Sequence, residues 1–393
     1  MPTLANNELC VGCTACVLKC PKKCLAMTYD NAGFAYSQMI NREQCVECNL
    51  CEKVCPVLNP NEIEQGSTKA IAAFSIDNMI REESSSGGIF TELALQVLNN
   101  KGVVYGAAYN NEWSVEHIGV NKKENLYQLR GAKYVESRLK NAFSEIEIYL
   151  QNKQQVLFSG TPCQVAGLKS YLQKDYSNLL CVDFVCHGIP SPLAWKKYID
   201  ERKRVDNETS KPSMISQRSK ETGWSRYSYS CVMEYPDGKK YSSLSSDDLY
   251  MKLFCNDYIS RKSCKKCQFK GYDRISDITL GDFWGIWDIE PEMDDGKGTS
   301  LVLIHTEKGR KVFSNLNNRV KYKETTLEAA SAENKSLLYS SAEKLEREKV
   351  LEEIKNDNYF KLYDLFPTNV SITLPMWKRV VTKIKGVIFR HDK

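Results

Sequence analysis

Eight cysteines near the start of the chain fall into two runs of the same spacing. The first reads Cys10-x2-Cys13-x2-Cys16-x3-Cys20-Pro21, and after a gap the second reads Cys45-x2-Cys48-x2-Cys51-x3-Cys55-Pro56. Three thiolates spaced by two residues wrap a short loop around one face of a cuboidal iron–sulfur cluster. The fourth, turned away by the following proline, ligates the other cluster of a pair. The spacing therefore assigns Cys10, Cys13, Cys16 and Cys55 to one [4Fe–4S] cluster, and Cys45, Cys48, Cys51 and Cys20 to a second. Zinc ribbons also use C-x2-C pairs, but a zinc site closes with four ligands and gives no reason for two identical runs that each end in Cys-Pro. Cys24 falls outside both runs and reads as a spare, buried thiol. A one-electron relay is of little use alone, so the rest of the chain must hold a donor or an acceptor.

A second constellation lies further on. Cys163, Cys186, Cys264 and Cys267 sit in turn-like contexts with small or polar neighbours, whereas Cys181, Cys231 and Cys255 lie in apolar or strand-like runs and read as core packing. Two thiolates from strand ends and a C-x2-C pair from a loop supply four ligands. That is enough for one further cluster, or for structural zinc. A third reading makes Cys163 a nucleophile beside His187, although no oxyanion or orienting motif accompanies it. Ser84 to Gly88 precede an apolar-periodic segment, so they form a loop at a helix N-terminus. Such a loop receives an anion such as phosphate, or serves as a plain serine cap. No G-x-G-x-x-G follows a strand, and the run from Gly296 to Ser300 lacks the glycine spacing of a P-loop, so neither a Rossmann unit nor an ATP site is expected.

The elements that must carry these residues alternate. Strand patterns at 69–74, 103–109, 115–120, 155–159 and 179–185 are interleaved with helix patterns at 88–98, 137–149, up to 171 and 192–204, the rhythm of an α/β core. Cys163 and Cys186 follow strand ends, the edge of an open sheet where ligands collect. A hairpin is expected around Pro236-Asp-Gly238, a helix over 249–258, and a strand near Asp277 and Asp282. From Leu327 to about Asn358 the pattern is helical and charged. The polar stretch 59–68 reads as a linker. Three regions result: a cluster-binding region over 1–60, an α/β domain over 69–330, and a helical C-terminal region over 331–393. In the last, Trp377, Val380, Val381, Ile384, Val387 and Ile388 form one face of a helix flanked by cations, which suggests weak contact with a membrane surface.

Composition agrees with an ordinary folded protein: 42% hydrophobic and 26% charged residues, with a formal charge of +5 over 393 residues. The charge is too modest, and the motifs too few, for nucleic acid to be a partner. The first residues show no signal-peptide pattern and no segment is apolar over a bilayer's span, so a cytoplasmic setting is expected, where thiolates stay reduced.

The first sixty residues resemble the bacterial two-cluster ferredoxin. Ser84-Ser-Ser-Gly-Gly-Ile-Phe90, Arg130-Gly-Ala-Lys-Tyr-Val135, Gly160-Thr-Pro-Cys-Gln164, Cys186-His-Gly188, Ser263-Cys-Lys-Lys-Cys267 and Ser276-Asp-Ile-Thr-Leu-Gly-Asp-Phe283 resemble, in order, the beta subunit of coenzyme F420 hydrogenases and dehydrogenases. The resemblance implies a fold of mixed α+β and α/β character: a bacterial-type ferredoxin domain, then an α/β flavin and iron–sulfur domain, then a helical C-terminus. It implies FAD, a third [4Fe–4S] cluster on Cys163, Cys186, Cys264 and Cys267, FAD phosphates on Ser85, Ser86, Gly87 and Gly88, and Lys133 and Tyr134 closing over the flavin. Ala132 departs from the serine usual there. The implied activity is an iron–sulfur flavoprotein oxidoreductase exchanging hydride with a deazaflavin or another conjugated small molecule, with a ferredoxin-type donor or other redox protein as partner. Two other readings stand beside it: a non-catalytic electron-transfer subunit of a larger reductase, and a zinc-stabilised binding protein.

Overall fold

The structure is a computed structural model that describes residues 2–358 apart from 64, 65 and 67, together with 361 and 362. The basic tail from Pro375 onward lies outside the described residues. Among the described residues no helix is long and apolar enough to cross a membrane.

The front of the chain is built twice on one plan. In each cysteine run a residue with positive φ, Thr14 at 62° and Asn49 at 55°, turns the loop into a short helix, Ala15–Lys19 or Leu50–Lys53. The third cysteine of the run, Cys16 or Cys51, thereby enters the first turn of its helix. Between the runs, β1 (Leu25–Tyr29) and β2 (Ala35–Met39) pair antiparallel, Leu25 opposite Met39.

Behind this lies an eight-stranded sheet and a smaller three-stranded one. The strands are β3 (Lys69–Ser75), β4 (Val103–Tyr109), β5 (Val115–Val120), β6 (Val156–Ser159), β7 (Leu179–Phe184), β8 (Met214–Ser219), β9 (Ser230–Glu234), β10 (Lys240–Leu244), β11 (Ile278–Asp282), β12 (Ser300–Ile304) and β13 (Val320–Thr325). The large sheet runs β13-β3-β12-β11-β7-β6-β4-β5 and the small one β10-β9-β8. β4, β6, β7 and β11 are mutually parallel at the centre, with antiparallel strands on both sides. Parallel strands need cover on both faces, which is why β6 and β7 read as almost unbroken apolar runs. One face packs against helix Ile89–Asn99 through Leu93 and Val97. The other packs against helices Ala142–Gln151 and Pro162–Leu172 through Phe143, Ile146 and Leu168, and it is there that Cys13, Ala15 and Val54 of the front domain join the core. A further core gathers Phe34 and Tyr36 with Trp195, Tyr250 and Ile354, so the front domain, the small sheet and the last described helix share one apolar cluster.

Three expectations need correction. The stretch read as continuous helix from Leu327 to about Asn358, most of it in the region from 331 read as helical, is α-helical only at Leu327–Ser331 and Arg347–Lys355. The hydroxyls between them bond elsewhere: Ser340 accepts the Cys267 N–H and Ser341 donates to the His187 carbonyl. Serine side chains offer the backbone such alternatives to a helix. The helix expected from Ser137 starts at Ala142, because Ser137 is drawn to the ring of His117 at 2.7 Å. Cys181 and Cys231 are fully buried, whereas Cys255 ends helix Leu249–Cys255 on the wall of a cleft. Strands β1, β2, β8, β12 and β13 were not foreseen.

Candidate functional site

The front domain holds two small cavities between its cysteines. Cys10, Cys13, Cys16 and Cys55 line one of about 20 Å³, bordered also by Cys51. Cys20, Cys45, Cys48 and Cys51 line the other, also about 20 Å³, with Cys24 beside them. Each thus joins three cysteines of one run to the fourth of the other. Burial pushes the Cys13 thiol well up and that of Cys16 to about 12. A dry pocket of clustered thiols disfavours their charged forms unless a cationic group sits among them, so the donor set fits iron. Cys24 is buried and its N–H donates to the Cys20 sulfur at 3.3 Å.

A third cavity, of about 40 Å³, is lined by Cys163, Cys186, Cys264 and Cys267. A single water needs roughly 10–15 Å³, so this space has room for more than one atom, and it is roomier than either front cavity. Among the described residues no three His, Cys, Asp or Glu side chains converge as they would on a single metal ion. The cysteines reach the cavity from three places. Cys163 lies in the first turn of helix Pro162–Leu172, just past β6, its sulfur 3.1 Å from the Thr161 hydroxyl. Cys186 follows β7. Cys264 and Cys267 come from a 3₁₀ turn, and the Ile189 N–H donates to the Cys264 sulfur at 3.3 Å. Burial pushes Cys163 up to about 12 and Cys186 to about 11. Leu9, Val11 and Val57 of the front domain form part of the same wall.

Beyond Cys163 and Cys186 opens a cleft of about 1120 Å³. It lies at the carboxyl ends of β6, β7 and β11, under the small sheet, and exceeds the roughly 300–1,000 Å³ usual for small-molecule sites. Ser85, Ser86 and Gly88 line one part, and Lys133 and Tyr134 another. Gly87 does not line it. Its N–H donates to the Ser300 hydroxyl at 3.0 Å and its carbonyl accepts from Ser75, while a Cβ there would lie 2.6 Å from the Ala73 carbonyl oxygen. Gly87 is required for close backbone packing, and Gly88, at φ +83°, starts the helix. Lys133 donates to the Arg130 carbonyl at 2.8 Å, and burial pulls its ammonium down to about 7.

Several cleft residues carried no sequence signal. Arg218 lies between the rings of Tyr229 and Trp284, 4.5 and 4.7 Å from their centroids, and pairs with Asp282 at 2.6 Å. Its Nε and Nη2, like Nε of Arg130, are buried without a hydrogen-bond partner among the described residues. Outside the lining, Lys220 fixes the serine loop by donating to the carbonyls of Arg81, Ser86 and Lys297. His117, in the floor, is pulled by burial to about 4 and is neutral near pH 7. The orphaned guanidinium N–H groups, the Lys133 ammonium and the serine loop give this part of the cleft donors that could receive an anion, with the rings of Tyr134, Tyr229, Phe254 and Trp284 beside it.

Residues 9–59 match the 4Fe-4S dicluster domain, residues 70–143 the N-terminal part of the coenzyme F420 hydrogenase/dehydrogenase beta subunit, and residues 153–330 its C terminus. No curated protein matches at a significant level. Among solved structures, a chain of the F420-reducing [NiFe] hydrogenase complex from Methanosarcina barkeri is similar at 16% identity, covering 78% of this chain and 96% of that one, with a TM-score of 0.44. With both parts of the beta subunit matched in order behind a dicluster domain, the chain belongs to the coenzyme F420 hydrogenase/dehydrogenase beta subunit family and is an iron–sulfur oxidoreductase of that family.

Proposed function

We propose that the chain couples one-electron transfer through three [4Fe–4S] clusters to hydride transfer at FAD, with a deazaflavin such as coenzyme F420 or another conjugated small molecule as hydride partner. When bound, the clusters pass single electrons and the flavin exchanges electron pairs as hydride. The observation that carries this reading is the unbroken series of cavities from surface to cleft. Cys51 borders both front cavities, Val11 and Val57 border the first front cavity and the third, and Cys163 and Cys186 border the third cavity and the cleft. At the outer end Cys48 is exposed, where a ferredoxin-type donor in a cytoplasmic setting would approach.

The chain's own residues then have separable tasks. The cysteine sets hold the clusters in pockets that exclude water. Ser85, Ser86 and Gly88 present a helix N-terminus to the FAD phosphates. Lys133 and Tyr134 would close over the flavin, the Lys133 ammonium adding positive charge to the anion site, and Arg218 would offer its unpaired N–H edge to an anionic group of the bound molecule. Neutral His117 adds no competing positive charge to the floor.

Full-length protein purified without oxygen should release FAD on heat denaturation and carry about twelve iron and twelve acid-labile sulfide per chain. It should also reduce a conjugated acceptor with dithionite as donor. Absence of flavin, or a colourless protein, refutes the reading. A chain that carries every cofactor yet reduces nothing without a second protein is a relay subunit of a larger reductase.

A further inference from the structure

Arg261 belongs to no cysteine set and does not line the cleft, yet it touches the front domain and the third cavity at once. Its side chain is almost wholly buried. Nε donates to the Cys10 carbonyl at 3.0 Å, Nη2 to the Ala35 carbonyl at 2.6 Å, and Nη1 pairs with Glu136. Glu136 completes the contact by accepting the Ala35 N–H at 3.0 Å. The Tyr36 ring lies 4.2 Å from the guanidinium. On the other side the Arg261 carbonyl accepts the Cys264 N–H at 3.0 Å, and its own N–H donates to Ile189, whose N–H in turn points at the Cys264 sulfur. One residue thus joins a cysteine of the first set to a cysteine of the third.

Glycines bring the two sides this close. A Cβ on Gly12 would lie 3.0 Å from the Ala35 carbonyl oxygen and 3.1 Å from Arg261, and one on Gly167, four residues after Cys163, 2.6 Å from the Cys13 Cβ. Docking alone does not call for a charge here, since replacing a buried ion pair with apolar side chains of similar volume is often neutral or stabilising. A fixed cation beside Cys10 does something packing cannot do. Reduction adds a negative charge to a cluster, and a nearby buried cation stabilises the reduced state while a carboxylate opposes it.

We propose that Arg261 and Glu136 form a positioning pair at the junction of the first and third cysteine sets, holding the Cys10–Cys13 loop at fixed spacing from the third cavity and raising the reduction potential of the cluster at Cys10. The proposal rests on the reading that both sets hold clusters.

The test is a redox titration of full-length protein with dithionite, one electron per cluster, followed by electron paramagnetic resonance. In Arg261→Met the first cluster should become harder to reduce by about tenfold in equilibrium, which for one electron is about 59 mV. In Glu136→Gln it should shift the opposite way, and Arg261→Lys should restore most of the loss. Spin coupling between the first and third clusters should weaken in Arg261→Met and persist in Arg261→Lys. Shifts of the same sign in the Met and Gln variants, or none, overturn the proposal, because mere loosening has no sign. Should Arg261→Met fail to accumulate, Glu136→Gln carries the test by itself: it leaves the Arg261 charge beside Cys10 without its carboxylate, so an unchanged or lowered potential of the first cluster there overturns the proposal equally. Iron analysis of the wild type separates the two levels: about eight iron defeats the third cluster, whereas about twelve with unmoved potentials defeats only the junction.

Discussion

Gly167 offers a test in which local and tertiary effects have opposite signs. It lies inside helix Pro162–Leu172, where alanine is favoured over glycine by about 1 kcal/mol. If that helix faced solvent or a loosely fitted neighbour, Gly167→Ala would stabilise the protein. In the structure an added Cβ would lie 2.6 Å from the Cys13 Cβ and 2.9 Å from its sulfur, and 3.5 Å from the Phe143 ring. Carbon atoms rest at about 3.5–4.0 Å, so the loop and helix must separate by about 1 Å. Neither partner is the far end of a flexible side chain, and Cys13 is tied to its cavity. Overpacking of this kind costs about 1–3 kcal/mol, and two contacts this short place it in the upper part of that range. The net is a loss of about 1–2 kcal/mol after the helix gain. Urea unfolding of wild type and variant, followed by far-ultraviolet circular dichroism under exclusion of oxygen, reads the midpoint. A raised midpoint refutes the packing of the front domain on this helix, and with it the short path from the first cysteine set to the third.

Other outcomes follow from single contacts. Cys264→Ser should lower bound iron by about four per chain while leaving the front-domain signal intact; loss of all iron would show that the cavities do not load independently. Gly87→Ala should destabilise the fold by roughly 1–3 kcal/mol through its contact with the Ala73 carbonyl, whereas Ser85→Ala should leave the unfolding midpoint in place and weaken FAD retention; the reverse pattern refutes the assignment of the loop. Lys133 is held down to about 7 by burial, so its charge is present below that pH and lost above it. FAD affinity, read by quenching of flavin fluorescence, should therefore fall from about pH 6 to about pH 8, by no more than about tenfold per unit, and be flat in Lys133→Met. Neutral His117, pulled to about 4, contributes nothing in that window. A flat wild-type profile would remove Lys133 from the anion site.

Chemistry written in local spacing was legible without a structure. A C-x2-C-x2-C-x3-C-P run specifies which thiols share a loop and which is turned away, because a few peptide bonds fix their reach. Strand and helix patterns around β3 to β7 were similarly readable, since the parallel strands β4, β6 and β7 are covered on both faces and must be apolar nearly throughout. The limit came where a residue's role depends on what the chain brings to it from far away. Gly87 looked like a phosphate glycine, but β3 and β12 close on it from both sides, β12 accepting its N–H through Ser300 and β3 donating to its carbonyl through Ser75. Residues 332–346 carried a helical composition, but Ser340 and Ser341 bond to groups near the third cavity instead. Arg218 and Arg261 are ordinary cations in the sequence. They become site residues only because folding removes water from them and supplies Asp282 and Glu136 as partners, and burial of a charge is decided by all the layers around it, which no local pattern records.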